Sequence, residues 1–234
     1  MGGRFIAFGA SHVLVIALSF VVPAGLAILA QRLRSERLAR AVRFTFATGL
    51  TAMWLVWYGL IAARGWISAE TILPMNLCDW ATIATLATLL RPNQRSYELA
   101  YFWALSGTLQ ALVTPELYYD FPDLRFIVFF AFHGGTIAAV LFLTFARSMR
   151  PRPASLPRVI AWSLFYLAAA LAVNWLFGTN FGYLSAKPTT PSLLDVMGPW
   201  PVYIVELAGV GILSVPVLYA PFFVADRLKR HGAW

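Results

Sequence analysis

Arginine and lysine gather in every second segment between apolar runs of this chain, and few arrangements satisfy that alternation. Seven runs stand out, at roughly 6–30, 44–63, 72–90, 99–114, 126–146, 159–177 and 201–224. The segments QRLRSERLARAVR, RPNQRSYE and RSMRPRPASLPR, with the tail DRLKRHGAW, hold fourteen of the 18 basic residues. The segments on the other side hold only Arg4, Arg64, Arg125 and Lys187. Positive segments stay on the cytoplasmic side of a membrane. The pattern therefore predicts seven passes, the N-terminus outside and the C-terminus cytoplasmic. A missed or spurious pass would scramble the alternation.

Backbone at membrane depth must satisfy its own hydrogen bonds, so the passes are read as helices. The expected fold is an all-α polytopic membrane protein, one seven-helix domain over residues 1–234. Charged residues make up 12% of the chain, a deficit spread over its whole length, against about 25% in a soluble domain. The net charge of +8 needs no nucleic acid, because the loops account for it. The third and fourth runs are short and carry Asp79, Ser106 and Gln110. The first run is too long for a signal-peptide core and precedes five arginines, so it is read as a span. The loop 178–200 is rich in Gly and Pro and long enough to fold back over the outer face. Trp57, Trp66, Trp80, Trp175 and Trp200 fall near outer span ends, as an interfacial belt would.

Polar residues inside spans are costly and usually face the bundle interior. Here they share one half of the membrane. His12, Asn76, Cys78, Asp79, Gln110, Thr114, His133, Asn174 and Glu206 all fall toward outer span ends. The inner halves read as almost purely apolar apart from Ser and Thr. One polar site open to the outer side is the simplest account. Cys78, Thr82 and Thr85 share a helical face, and so do Ser106, Gln110 and Thr114. "HGG" at 133–135 leaves room beside the histidine for a helix or a ligand.

Each residue has a plainer reading. Cys78, the one cysteine, is either a small buried hydrophobe or a thiol activated by a neighbouring base. His133 and His12 are packing histidines or proton carriers. Asp79 and Glu206 cap helices or orient a histidine. Two histidines and two carboxylates could hold a metal, but no tight ligand spacing supports one. Histidines on separate spans could hold a haem, and nothing favours that. No metal and no cofactor is expected.

Four blocks carry a resemblance: LPMNLCDW (73–80), YFWALSGTLQALVTPEL (101–117), FFAFHGG (129–135) and NFGYLSAKPTTPSLLDVMGPWPVYI (180–204). Together they resemble the YwaF-like family of bacterial integral membrane proteins and the related transmembrane protein 164 family of animals. The likeness covers roughly residues 5–220. It implies an acyltransferase that moves a fatty acyl chain onto lysophospholipids through a cysteine and a histidine, matched here by Cys78 and His133. A small family of helical-bundle lipid-ester hydrolases with a Thr/His pair is similar too.

The resulting expectation is acyl transfer or lipid-ester hydrolysis at the outer leaflet of a bacterial cytoplasmic membrane, with membrane lipids as partners. Cys78 is the nucleophile, His133 the base, and Asp79 or Glu206 orients a histidine. Asn76, Gln110 or Asn174 donates to the oxyanion. His12 and Thr114 complete the pocket. The alternative is a binding protein, transporter-like or receptor-like, whose polar outer cavity holds a small molecule or lipid. The apolar inner halves and the lack of an internal repeat argue against alternating access.

Overall fold

The computed structural model describes residues 3–230 and is helical throughout, with no strand among them. The last four residues of the basic tail lie outside the described residues. The helices are α1 (Ala10–Leu33), α2 (Glu36–Arg64), α3 (Ala69–Ile72), α4 (Leu77–Leu90), α5 (Gln94–Trp103), α6 (Leu109–Val113), α7 (Leu124–Ala146), α8 (Ser155–Phe177) and α9 (Val202–Arg230). Six stretches are long and apolar enough to cross a membrane; the third of them, Ala69–Leu90, joins α3 to α4.

The fourth apolar run takes a different form from the other six. α5, a π turn (Ala104–Thr108) and α6 follow one another without a break. This rod starts at Gln94, five residues before the apolar run does. Asn93 caps it, its Oδ1 accepting from the N–H groups of Arg95 and Ser96. The early start makes Tyr97 and Glu98 helical and buries them at 0% and 1% exposure.

That burial corrects the expectation of a purely apolar inner half. Glu98 pairs with Arg158 of α8 and accepts from Gln94 Nε2 at 2.8 Å. Tyr97 Oη lies 2.8 Å from Thr144 Oγ1 and donates to the Met149 carbonyl. Arg43 of α2 donates to the Leu89 carbonyl at the end of α4. A second polar cluster thus ties the helices together at the arginine-rich end. Several arginines of that end also ride on helices, because α2 begins at Glu36 and the α1–α2 turn is only Arg34 and Ser35.

α7 is the central helix, packed against α1, α2, α4 and the π turn. Its glycines explain how close the helices come. A Cβ on Gly134 would sit 2.3 Å from Ser19 Oγ of α1, and one on Gly135 would lie 3.2 Å from Leu50 of α2. The space beside His133 is therefore used by helices. Small residues and close backbones are how helices associate where lipid is as apolar as leucine. The α4 threonines return their hydroxyls to carbonyls four residues back: Thr82 to Cys78, Thr85 to Ala81, Thr88 to Ala84. Thr82 also meets Thr136 of α7 at 2.8 Å. The tryptophans divide. Trp175 and Trp200 are exposed, as anchors would be, whereas Trp80 packs edge-on against Trp103 and Tyr166.

Candidate functional site

One cavity of about 830 Å³ opens between α4, the π turn, α7, α8 and α9. That volume lies within the usual range of ligand pockets. Cys78, Asp79 and Asn76 line it from the start of α4, and Ser106, Gln110 and Thr114 from the π turn and beyond. His133 lines it from α7. Along α8 and α9 the wall is mostly apolar, whereas Glu116, Arg125 and Tyr183 line it at the loop end.

Cys78 and His133 stand at one level. α4 and α7 run parallel, since the C-terminal end of each meets the N-terminal part of α2 through Arg43–Leu89 and Arg147–Glu36. The Thr82–Thr136 hydrogen bond fixes their register. Cys78 precedes Thr82 by four residues and His133 precedes Thr136 by three, so both lie one turn toward the same end. Among the described residues no hydrogen bond joins thiol and imidazole. They face a shared space from neighbouring helices.

The tautomer of His133 follows from its partner. Nδ1 lies 2.8 Å from the Phe129 carbonyl, which can only accept, so Nδ1 carries the proton. In the neutral ring Nε2 then holds the lone pair. The imidazole stacks on Phe129 with ring centroids 4.1 Å apart, which fixes its plane.

The start of α4 shapes the other wall. Asn76 is the N-cap, and its N–H donates to Asp79 Oδ2 at 2.9 Å. Asn76 Oδ1 accepts from Gly182 N–H at 3.2 Å. With the oxygen engaged, the amide Nδ2 is left to donate elsewhere. Cys78 is the second residue of the helix, so its backbone N–H has no carbonyl to receive it within the helix. Gly107 lets the π turn approach, for a Cβ there would fall 2.7 Å from Leu77 Cδ2. π turns recur at functional sites because they re-aim side chains.

The remaining sequence candidates lie elsewhere or are already engaged. His12 is fully buried; its Nδ1 accepts from Phe8 N–H and its Nε2 donates to the Leu112 carbonyl, both at 2.9 Å. That histidine locks α1 to α6 and does not line the cavity. Asn174 is spent on the turn after α8, accepting from Thr179 and Phe181 and donating to the Phe181 carbonyl. Glu206 is exposed and accepts from Gly198 N–H. Asp79 caps its own helix and meets neither histidine. Both imidazoles are oriented by backbone carbonyls. Gln110 Nε2 donates to Thr114 Oγ1 at 2.7 Å within the cavity wall.

Two side chains outside the candidate set shape the cavity as well. Tyr166 has a buried hydroxyl without a partner among the described residues, set against Gly182, where a Cβ would lie 2.9 Å from it. Tyr183 adopts a left-handed backbone, φ 55°, next to Gly182 at φ 65°. A bulky residue is rare there and is held by its surroundings. Its hydroxyl donates to Glu116 at 2.9 Å, and its carbonyl accepts from Tyr203 Oη at 2.6 Å. Only the single glycine of "NFGY" hinted at this turn.

The loop after α8 closes this end. Gly182, Tyr183, Leu184, Pro188 and Leu194 of the loop line the cavity. Glu116 latches the loop, accepting from Tyr183 Oη and from both Thr189 N–H and Oγ1. Burial pushes the Glu116 pKa up, and these three bonds outweigh it, leaving the group below the ordinary carboxylate range. A lowered folded value means the latch stabilises above the carboxylate range and is lost as pH falls through the lowered value. Once corrected for the intrinsic rate, hydrogen exchange of 183–194 is therefore expected to be slow at neutral pH and to become fast as pH falls through that lowered value. Glu116→Gln is expected to show the fast exchange at every pH. Uniform protection in both proteins would count against the latch.

Comparison with known proteins gives one match. No curated protein and no solved structure matches the chain. The model of the TMEM164 family matches residues 7–219, which include the whole described cavity. The chain is a membrane-embedded helical protein that belongs to the TMEM164 family.

Proposed function

We propose that the protein is an intramembrane lipid acyltransferase or lipid-ester hydrolase that carries the acyl group on Cys78. In this reading seven helical passes, the α5–α6 rod among them, cross a bacterial cytoplasmic membrane. The loop-covered end faces outward and the arginine-rich end faces the cytoplasm. One observation carries the proposal: a single cavity presents a thiol and an imidazole lone pair at one level, beside a long apolar wall. An ester of a membrane lipid fits such a space and arrives laterally from the bilayer.

The chemistry balances with the residues present. His133 Nε2 takes the Cys78 proton as sulfur attacks the ester carbonyl. The developing oxyanion accepts from the Cys78 backbone N–H and from Asn76 Nδ2. The C–O bond breaks, and the leaving alkoxide takes the proton from His133. A thioester remains on Cys78. A lysolipid hydroxyl, or water, then attacks it and gives its proton to His133. Sulfur leaves as thiolate and recovers that proton. Asp79 supports this by capping the helix that presents Cys78.

The test is to trap the intermediate. Purified protein is incubated with a diacyl phospholipid without acceptor, and its intact mass is measured. The expected result is one added acyl group on the Cys78 peptide, released by neutral hydroxylamine. An unchanged mass with no lysolipid or fatty acid released from any phospholipid tried, in protein shown to be folded, would sink the acyl-transfer reading and favour a lipid-binding role.

A further inference from the structure

The cavity extends well past the residues that the chemistry uses. Its far arm runs between α8 and α9, lined by Ile160, Leu164, Leu167, Ala208, Gly211 and Val215. No charged side chain of either helix reaches it. The two serines on its wall are engaged: Ser163 accepts from Trp103 Nε1 at 2.9 Å and Ser214 donates to the Gly211 carbonyl at 2.7 Å. From Ile204 to Val215 the wall follows α9 for about 16 Å at the helical rise of 1.5 Å per residue. The arm therefore lies along the helix axes, as the chains of a bilayer lipid do.

Gly211 is the informative position. Glycine inside a helix carries a stability cost relative to alanine. In membrane helices that cost is usually offset by close approach of a neighbour. No neighbour uses the space here, for a Cβ at Gly211 meets nothing within 4 Å. Gly134 and Gly107, where such a Cβ would clash, show the opposite case in the same molecule. Gly211 is exposed, and of the helical glycines with open space, Gly25, Gly49, Gly59, Gly209 and Gly211, it is the one that lines the cavity. Gly209 is equally open, but it does not line the cavity.

We propose that the α8–α9 arm holds the acyl chain that Cys78 receives, and that Gly211 sets the longest chain it admits. The proposal rests on the acyl-transfer reading and names the part of the lipid that the site measures. The occupant is a hydrocarbon chain, because among the described residues the arm's serines are engaged and the Tyr166 hydroxyl lies against Gly182 at the loop end. Its carbonyl end lies at Cys78 and its methyl end toward Val215.

The test compares wild type, Gly211→Leu and Gly209→Leu for acylation of Cys78 by phospholipids with chains of eight to eighteen carbons. The expected result is that Gly211→Leu loses at least about tenfold in rate with the longest chains relative to the shortest. Gly209→Leu is expected to keep the wild-type profile. Gly211→Ala gives an intermediate shift and serves if the leucine variant fails to fold. An acylated wild type whose Gly211 variants keep the chain profile overturns the proposal alone. Equal losses at all lengths, or the same shift from Gly209→Leu, also overturn it. A wild type that accepts no acyl group at Cys78 removes the acyl-transfer reading and this proposal with it.

Discussion

Cys78→Ala is expected to abolish acylation, while His133→Gln slows it by about 10²–10⁴-fold and leaves the adduct on the same cysteine. The two effects differ because the residues do different things. Without sulfur there is nothing to carry the acyl group. Without the imidazole the thiol can still attack, but its proton has no nearby acceptor. Both variants are expected to fold. Cys78 makes no side-chain hydrogen bond among the described residues, and the Phe129 carbonyl that loses its imidazole partner is still in helix α7. Initial rates of adduct formation by mass spectrometry, beside thermal unfolding in detergent, separate the cases. Unaltered kinetics in His133→Gln would remove the imidazole from the mechanism. An adduct surviving in Cys78→Ala would move the nucleophile elsewhere.

The largest effect on stability is expected at the other end of the bundle. Among the described residues, Arg158→Met leaves Glu98 buried at 1% exposure with only Gln94 for a partner. Removing one member of a buried pair costs about 3–5 kcal/mol, because the remaining charge keeps its desolvation penalty. The Arg147–Glu36 pair gives the contrast. Glu36 is 76% exposed, so Arg147→Met is expected to cost no more than about 1 kcal/mol. Denaturant unfolding in detergent measures both. The double variant Glu98→Leu with Arg158→Met is expected to recover most of the loss, since both charges leave together. If Arg158→Met unfolds like wild type, Glu98 is solvated or protonated without its partner, and the cluster does not hold the bundle.

The helical class, six of the seven apolar runs as candidate spans and the clustering of polar side chains were legible in the sequence, because each depends on a local property. A run either has enough apolar residues to span or it does not. The loop 178–200 could be read as a cover because its Gly and Pro disfavour a long helix there, and it holds only the short 3-10 turns Phe181–Tyr183 and Leu193–Val196. Cys78, Asn76, Asp79, Gln110, Thr114 and His133 do line one cavity, as their similar depth suggested.

Depth along a helix does not fix direction around it, and there the tertiary structure decided. His12, Asn174 and Glu206 share the depth of the cavity yet spend their polar atoms on Leu112, Phe181 and Gly198. Glu98 looked like a loop residue until Asn93 capped a helix ahead of it. The room beside His133, visible as two glycines, went to Ser19 and Leu50. Only packing tells a glycine that admits a helix from one that leaves a cavity open. The open space at Gly211 therefore appears in the folded bundle and nowhere in the sequence.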